Sequence, residues 1–253
     1  MNRALKLLET SGRMARFMAR VTHAALHQQG PRDLLLRSTL DQAWIVGVKS
    51  LPLLVIISAF IGTNLALQGY SAFRELGGDR LLGLFVAQAG VRELAPLMVA
   101  AMVAAKAGTE MASQLAVMRI REQIDALEVM AINPYAQLVL PRFAGIVLVL
   151  PPLTILSVAT LMVASWFAAV FQLGLESHIF LTLLFETLTG FDLLVCGVKS
   201  AVFGALICTT STFFGFHSPP GPSGVGRSTN LAVVVSAVTC AIANYVISAG
   251  AYG

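Results

Sequence analysis

Residues 50–73 read SLPLLVIISAFIGTNLALQGYSAF, a run without one charged side chain. About 20 such residues, wound as a helix, cross the roughly 30 Å hydrocarbon core of a bilayer. Four further runs have the same character. Residues 81–105 are apolar apart from Arg92 and Glu93, and 143–175 are uncharged. Residues 193–216 are apolar apart from Lys199, and 228–253 are uncharged. Together they predict five transmembrane helices at about 50–73, 81–105, 143–170, 193–216 and 228–250. The third run holds Pro151-Pro152 but is too short for two crossings and a turn. It predicts one kinked or tilted helix with a tail.

Composition points the same way. Of 253 residues 57% are apolar and 12% charged, against about 45–50% and about 25% in soluble domains. That balance excludes a water-soluble fold, a disordered chain and a nucleic-acid binder, and predicts an all-α integral membrane protein. Cys196, Cys208 and Cys240 all lie in apolar runs, with neither a disulfide framework nor a metal-ligand spacing. They read as small packed residues.

Basic residues set the direction of the spans. With a cytoplasmic N-terminus, the inner stretches 1–49, 106–142 and 217–227 hold 8, 4 and 1 Lys/Arg. The outer stretch 74–80 holds 2, and 171–192 holds none. Five spans then leave the C-terminus outside. The first 40 residues mix acids with arginines around no apolar core, so no secretory signal peptide is expected.

Segment 1–40 is expected to hold an interfacial amphipathic helix. Lys6, Arg13, Arg16 and Arg20 fall on one side at helical spacing, and Leu7, Met14, Met18, Val21 and Ala25 on another. Such a helix lies on the cytoplasmic membrane surface with its bases near lipid phosphates. Leu5 and Leu8 blur the pattern, so a soluble arm stays open. His23 and His27 are four apart with no third ligand near in sequence, which favours an ordinary pair over a metal site.

Ionisable residues inside spans face a bundle interior or a cavity. Chain direction places Arg92 and Glu93 about 16–18 Å, and Lys199 about 9 Å, from the outer ends of their helices. A lysine side chain can close that gap to Glu93. The group reads either as a polar spot that receives an anionic headgroup or as an internal ion pair that fixes helix register. Small-residue rows at Ala100, Ala104 and Gly108, and at Ser200, Gly204 and Cys208, mark close helix approach.

The stretch 110–130 predicts one helix between the second and third spans, ended by Asn133-Pro134. Met111, Leu115, Met118, Ile124, Leu127 and Met130 alternate there with Arg119, Arg121, Glu122, Asp125 and Glu128. It reads equally as an element docking on a soluble motor or as a helix lying on the membrane. Residues 215–226 are Pro/Gly-rich turn material. No phosphate-binding Gly-rich loop, metalloprotease motif or nucleophile elbow occurs. No catalytic residue, metal or resident cofactor is therefore expected on this chain.

Several stretches together resemble the MlaE/YrbE permeases, the membrane subunits of ABC lipid transporters that work with MCE-domain proteins. They are Leu-Gln-Gly-Tyr at 67–70, Arg-Glu-Leu-Ala-Pro at 92–96, Glu-Gln-Ile-Asp-Ala-Leu-Glu-Val-Met at 122–130, Asn-Pro at 133–134 and Pro-Arg at 141–142. Lys-Ser-Ala-Val-Phe-Gly at 199–204 and Gly-Val-Gly-Arg-Ser-Thr at 224–229 complete the set. The block 122–142 is the most specific, and the resemblance runs from about residue 40 to the end, leaving 1–40 as a separate interfacial segment and 41–253 as the permease domain. It implies a second permease copy, identical or a close paralogue, with lipid bound between the two beneath an MCE-domain ring. It implies that Tyr70, Arg92, Glu93 and Lys199 lie at or near the lipid cavity. It implies that the 110–130 helix couples to an ABC ATPase subunit holding ATP and Mg. Leu115, Met118, Arg119, Glu122, Asp125, Leu127 and Glu128 are the expected coupling residues. The implied setting is a bacterial inner membrane. Gln114 and Ala116 depart from the family's Glu and Gly, and Glu110 is an added acid beside them.

The function expected is that of a permease moving phospholipid or a related lipid to or from the MCE conduit. An ion-coupled carrier using Glu93 and Lys199 as a relay, or a non-transporting scaffold, are the alternatives. A reporter that works only outside the cytoplasm, fused after Gly253, is expected to be active. Activity of a cytoplasm-dependent reporter at that point would sink the five-span topology.

Overall fold

In hydrocarbon a helix satisfies every main-chain polar group within one segment. The computed structural model describes the backbone of residues 2–26, 32–74, 78 and 81–253, and the side chains of 12–24, 35–74, 78 and 81–253. Helices dominate it, with no strand among the described residues. In chain order they are α1 (Asn2–Leu26), α2 (Arg32–Arg74), α3 (Leu82–Ile120), α4 (Gln123–Val129), α5 (Tyr135–Gln172), α6 (Ser177–Thr187), α7 (Gly190–Phe216) and α8 (Pro222–Tyr252). α2, α3, α5, α7 and α8 are long and apolar enough to cross a membrane.

Of these helices, α2 and α3 outrun their apolar runs furthest. The candidate span in α2 has 40 residues and α3 has 39, about 60 Å each against a core of roughly 30 Å. Arg37, Asp41 and Lys49 end the uncharged run in α2 without ending its helix. The 110–130 stretch is likewise not one helix, which corrects the sequence reading. Residues 110–120 complete α3, and the chain breaks at Arg121-Glu122 before α4 begins. Glu122 takes φ 57°, the left-handed region that stops a helix. α4 ends on a Schellman motif: Ala131 at φ 58°, its N–H donating to Glu128 O and the Ile132 N–H to Leu127 O.

α5 runs through Pro151-Pro152 as a single helix. What the sequence reading left as a tail and loop holds α6, whose Phe180 and Leu184 are buried. Widened π-helical turns interrupt α3 at Val86–Leu94 and Ala104–Gly108, and form both ends of α5.

The chain divides into two compact units, and all five spans contribute to each. The first comprises Met1–Val46, Val103–Leu148 and Gly204–Thr239. Its core joins Phe17 and Val21 of α1 to Leu115, Ile124, Leu138, Val139, Phe213 and Phe216. The buried stripe of α1 is Phe17, Val21 and Ala24, while Met14 and Met18 are half-buried. This apolar face therefore packs on the protein's own core, where the sequence reading gave it to the membrane surface. Arg13, Arg16 and Arg20 are exposed, as expected. The side chains of Lys6, Leu7 and Ala25, and all of His27, lie outside the described residues. In the same unit Gly204 faces the backbone of Ile146, and Gly108 faces Ser211 and Ile207, so both small-residue rows contribute to helix approach.

The second unit comprises Gly47–Met102, Val149–Phe203 and Cys240–Gly253. Its core includes Leu65, Ala66, Leu82, Val86, Val91, Val158, Leu161, Phe180 and Leu184. The Ser58 and Ser157 hydroxyls pair at 2.7 Å between α2 and α5. All three cysteines are buried thiols, and the Cys196 Sγ–H donates to Val91 O.

Gly62 fixes the α2–α5 approach. A Cβ there would lie 2.4 Å from Leu161 O, a backbone atom with no freedom to yield. Gly62→Ala is therefore expected to lower stability by about 1–3 kcal/mol. Gly226→Ala, where nothing lies within 4 Å, is expected to be neutral or to stabilise by up to about 1 kcal/mol. Thermal melts of detergent-purified protein check both, and equal melting of the two variants would contradict the contact.

Candidate functional site

The site begins with two neighbours, Arg92 and Glu93, at the end of the π-helical turns of α3. Such turns carry an extra residue and recur where function needs a side chain aimed off the regular helical face. Here the two neighbours reach different partners. The Lys199 ammonium lies 3.2 Å from Glu93 Oε1, closing the gap as the depth arithmetic predicts. Arg92 pairs instead with Asp192, its Nε 2.8 Å from Oδ1 and its Nη2 3.3 Å from Oδ2.

Lys199 has three donors, and each finds an acceptor: Arg92 O at 2.8 Å, Glu93 Oε1 at 3.2 Å and Ser248 Oγ at 2.6 Å. The side chain is fully buried. Glu93 is held from α8 as well, where Ser248 Oγ donates to Oε1 and Asn244 Nδ2 to Oε2, both at 2.6 Å. Asp192 is 1% exposed and also caps α7, accepting from the Thr189 N–H at 2.8 Å and the Thr189 hydroxyl at 2.9 Å. The Tyr252 ring lies under the cluster, 4.6 Å from Arg92 Cζ and 5.9 Å from Lys199 Nζ.

Two cations and two anions make the cluster neutral. Lys199 and Asp192 are sealed, while the Arg92 and Glu93 side chains stay 23% and 37% exposed. The first pair anchors the helices, and the second is the part of the cluster that a ligand can touch. Asp192, Asn244, Ser248 and Tyr252 escaped the sequence reading. Thr189-x-x-Asp192 is a capping signature, and 244, 248 and 252 recur every four residues on a charge-free helix, so both signals were present. Tyr70 stands apart from the cluster: it packs at the edge of the second unit's core, with Arg74 5.7 Å over its ring. Among the described residues no group of three or more His, Cys, Asp or Glu could hold a metal.

Comparison with known proteins gives these helices a lineage. The family model described as Permease MlaE matches residues 39–249. The chain belongs to the MlaE permease family. A probable ABC transporter permease of Rickettsia felis is 31% identical over 97% of this chain and 93% of its own length. One of Rickettsia conorii is 34% identical over 85% of this chain and 83% of its own. The chloroplastic protein trigalactosyldiacylglycerol 1 of Arabidopsis thaliana is 34% identical over 84% of this chain and 61% of its own. This MlaE permease is thus a multi-pass membrane protein and a transporter permease.

The match covers the segment read as the coupling helix, and the structure shows where its residues sit. Leu115 is completely buried in the first unit's core, with Met118 and Leu127 packed against that core. Leu115 is therefore a packing residue, because its position falls inside the α3 helix. The apolar side chains left open around the α3–α4 break are Ile120, Val129, Met130 and Ile132, with Val129 88% exposed. Arg119 pairs with Asp125 across the break, one of the internal pairs expected, while Glu122 and Glu128 are exposed. Gln114 accepts from Arg142 at 3.1 Å and donates to Glu110 at 3.3 Å. The added acid and the departing Gln thus act as one bridge to Arg142.

Lys199→Met is expected to cost about 3 kcal/mol, the lower end for breaking a buried pair, because Glu93 keeps some solvent. Glu93→Gln/Lys199→Met should melt above the single variant, since no carboxylate is then left unpaired. A double variant no more stable than the single would show that Glu93 is not the partner that burial of the ammonium depends on.

Proposed function

We propose that this MlaE permease moves a phospholipid or a related lipid between a bacterial inner membrane and a conduit formed by an MCE-domain ring. The observation that carries the reading is a neutral charge cluster inside span helices of which only Arg92 and Glu93 are open. An arginine held by Asp192 and backed by the Tyr252 ring offers its remaining N–H groups to a headgroup oxygen. Glu93, held by Lys199, Asn244 and Ser248, sets the charge beside it. The name of the Arabidopsis relative contains a glycerolipid, which supports the lipid class.

ATP and Mg belong in this reading to a separate ABC ATPase, and the chain itself catalyses no reaction. A second permease copy, identical or paralogous, completes the lipid site, with Tyr70 at its margin. The N-terminus is cytoplasmic and the C-terminus exterior, which gives the α3–α4 break to the cytoplasmic face. Val129, Met130 and Ile132 then supply the apolar contact to the ATPase, and Glu122 and Glu128 its polar edge. An ion-coupled carrier is disfavoured because all three donors of Lys199 are already spent, leaving no ready relay.

Purification of the native complex tests the proposal: an ATPase and an MCE-domain protein in fixed ratio, with bound lipid by mass spectrometry, are expected. A chain isolated alone that supports ion-driven flux would replace the permease by the carrier. In the reconstituted complex, Val129→Asp and Met130→Asp are expected to lower ATPase binding and lipid-stimulated turnover about tenfold or more. Glu122→Ala should act mildly, exposed ion pairs being worth about 0.2–1 kcal/mol. Turnover at the parent rate in both Asp variants would remove this break from the coupling path.

A further inference from the structure

We infer that the cleft between α1, the start of α5 and the end of α7 in the first unit is a binding site for a phosphate-type anion. Its cavity measures about 210 Å³ and is lined by Arg13, Arg16, Phe17, Arg20, Tyr135 and His217. Sites for drug-sized molecules take about 300–1,000 Å³, so this one suits a single ionic group. Among the described residues that line it, three are arginines and none is an acid. Glu128 acts on Arg20 only as the weakest of the influences on that guanidinium.

The chain builds the cleft rather than leaving three arginines loose on a surface. Positions 13, 16 and 20 share one helical face. Phe17 on the same helix is 3% exposed. It meets the rings of Tyr135, Phe216, Phe213 and His217 at 5.5, 5.6, 5.7 and 6.0 Å. Tyr135 in turn stacks on Phe216 at 5.5 Å. This aromatic floor sets the height of α1 and the spacing of its guanidinium groups above the cavity.

Donors remain for a guest. Arg20 Nη1 donates to the Tyr135 hydroxyl at 3.2 Å, so the hydroxyl's own hydrogen is not spent in that bond. The His217 Nδ1 donates to Phe213 O at 2.9 Å, which spends the N–H of the neutral ring, so His217 serves as part of the aromatic wall and the donors come from the arginines and Tyr135. Arginine forks match the tetrahedral oxygens of a phosphate bidentately, which a lone lysine does not. The family match begins at residue 39, beyond the three arginines, while Tyr135 and His217 lie within it.

A phosphate group reaches such a cleft on a soluble molecule or on a lipid headgroup, and one experiment separates them. The detergent-purified full chain is titrated calorimetrically with inorganic phosphate. In parallel it is incubated with phosphatidic acid or with diacylglycerol, and retained lipid is read by native mass spectrometry. Saturable phosphate binding assigns a soluble guest. Retention of phosphatidic acid over diacylglycerol without phosphate binding assigns the headgroup. In either case Arg16→Gln and Arg20→Gln should each weaken binding about tenfold. Tyr135→Phe, which keeps the stacked ring, should weaken it less, and Arg37→Gln, outside the cleft, should leave it unchanged. Binding of neither probe, or an equal loss with Arg37→Gln, would overturn the site.

Discussion

The ammonium of Lys199 is the most demanding group in the molecule. Removing such an ion from water costs several kcal/mol even after relaxation, and only close acceptors offset that. The second unit supplies them from α3 and α8: a backbone carbonyl, a carboxylate and a hydroxyl. Each partner is then committed as well. Ser248 must donate to Glu93 because it accepts from Lys199, and Asn244 must take the other carboxylate oxygen. One buried charge thus fixes the rotation of three helices about their axes. Arg92 and Asp192 add a second tie, which also starts α7.

Hydroxyl groups elsewhere in the spans show how little polarity the interior tolerates without a partner. Thr63, Ser71, Thr154, Thr160, Thr209 and Thr239 each donate to the carbonyl four residues earlier. Such bonds satisfy the hydroxyl within its own helix and carry no information between helices. Hydroxyl pairs across helices are fewer: Ser58 with Ser157 in one unit, and Thr210 with Ser236 in the other. Specificity of packing therefore rests on these pairs, on the charge cluster and on glycines such as Gly62.

How much of this was legible follows from which signals are local. Apolar runs with few or no charges mark every span because the penalty for a charge in hydrocarbon acts residue by residue. Helix ends are different. Arg37, Asp41 and Lys49 leave the apolar run yet continue α2, because an aqueous flank tolerates charge on a helix as readily as on a loop. The break at Glu122 has no Gly or Pro to announce it, so Asn133-Pro134 looked like the first stop. The Lys199–Glu93 pair followed from depth alone, whereas Arg92's partner sits at the very start of α7, just outside the apolar run. Phe17 was overlooked because its neighbours at 13, 14, 16 and 18 already fill both sides of the helical pattern.

Two groups of cations illustrate one rule with opposite outcomes. Within the second unit, two cations meet two carboxylates, and burial is possible because the charges cancel and their donors are used. In the first unit, Arg13, Arg16 and Arg20 of α1 line a cleft with no acid among the described residues of its wall and remain exposed, so their field is directed outward. A buried charge without a partner would neutralise or unfold its surroundings, while an exposed one keeps its hydration until an anion replaces it. The same residue type thus serves as a tie where carboxylates surround it and as a receptor where aromatic rings do. What separates the two roles is the partner brought by tertiary structure, which no composition count along the chain contains.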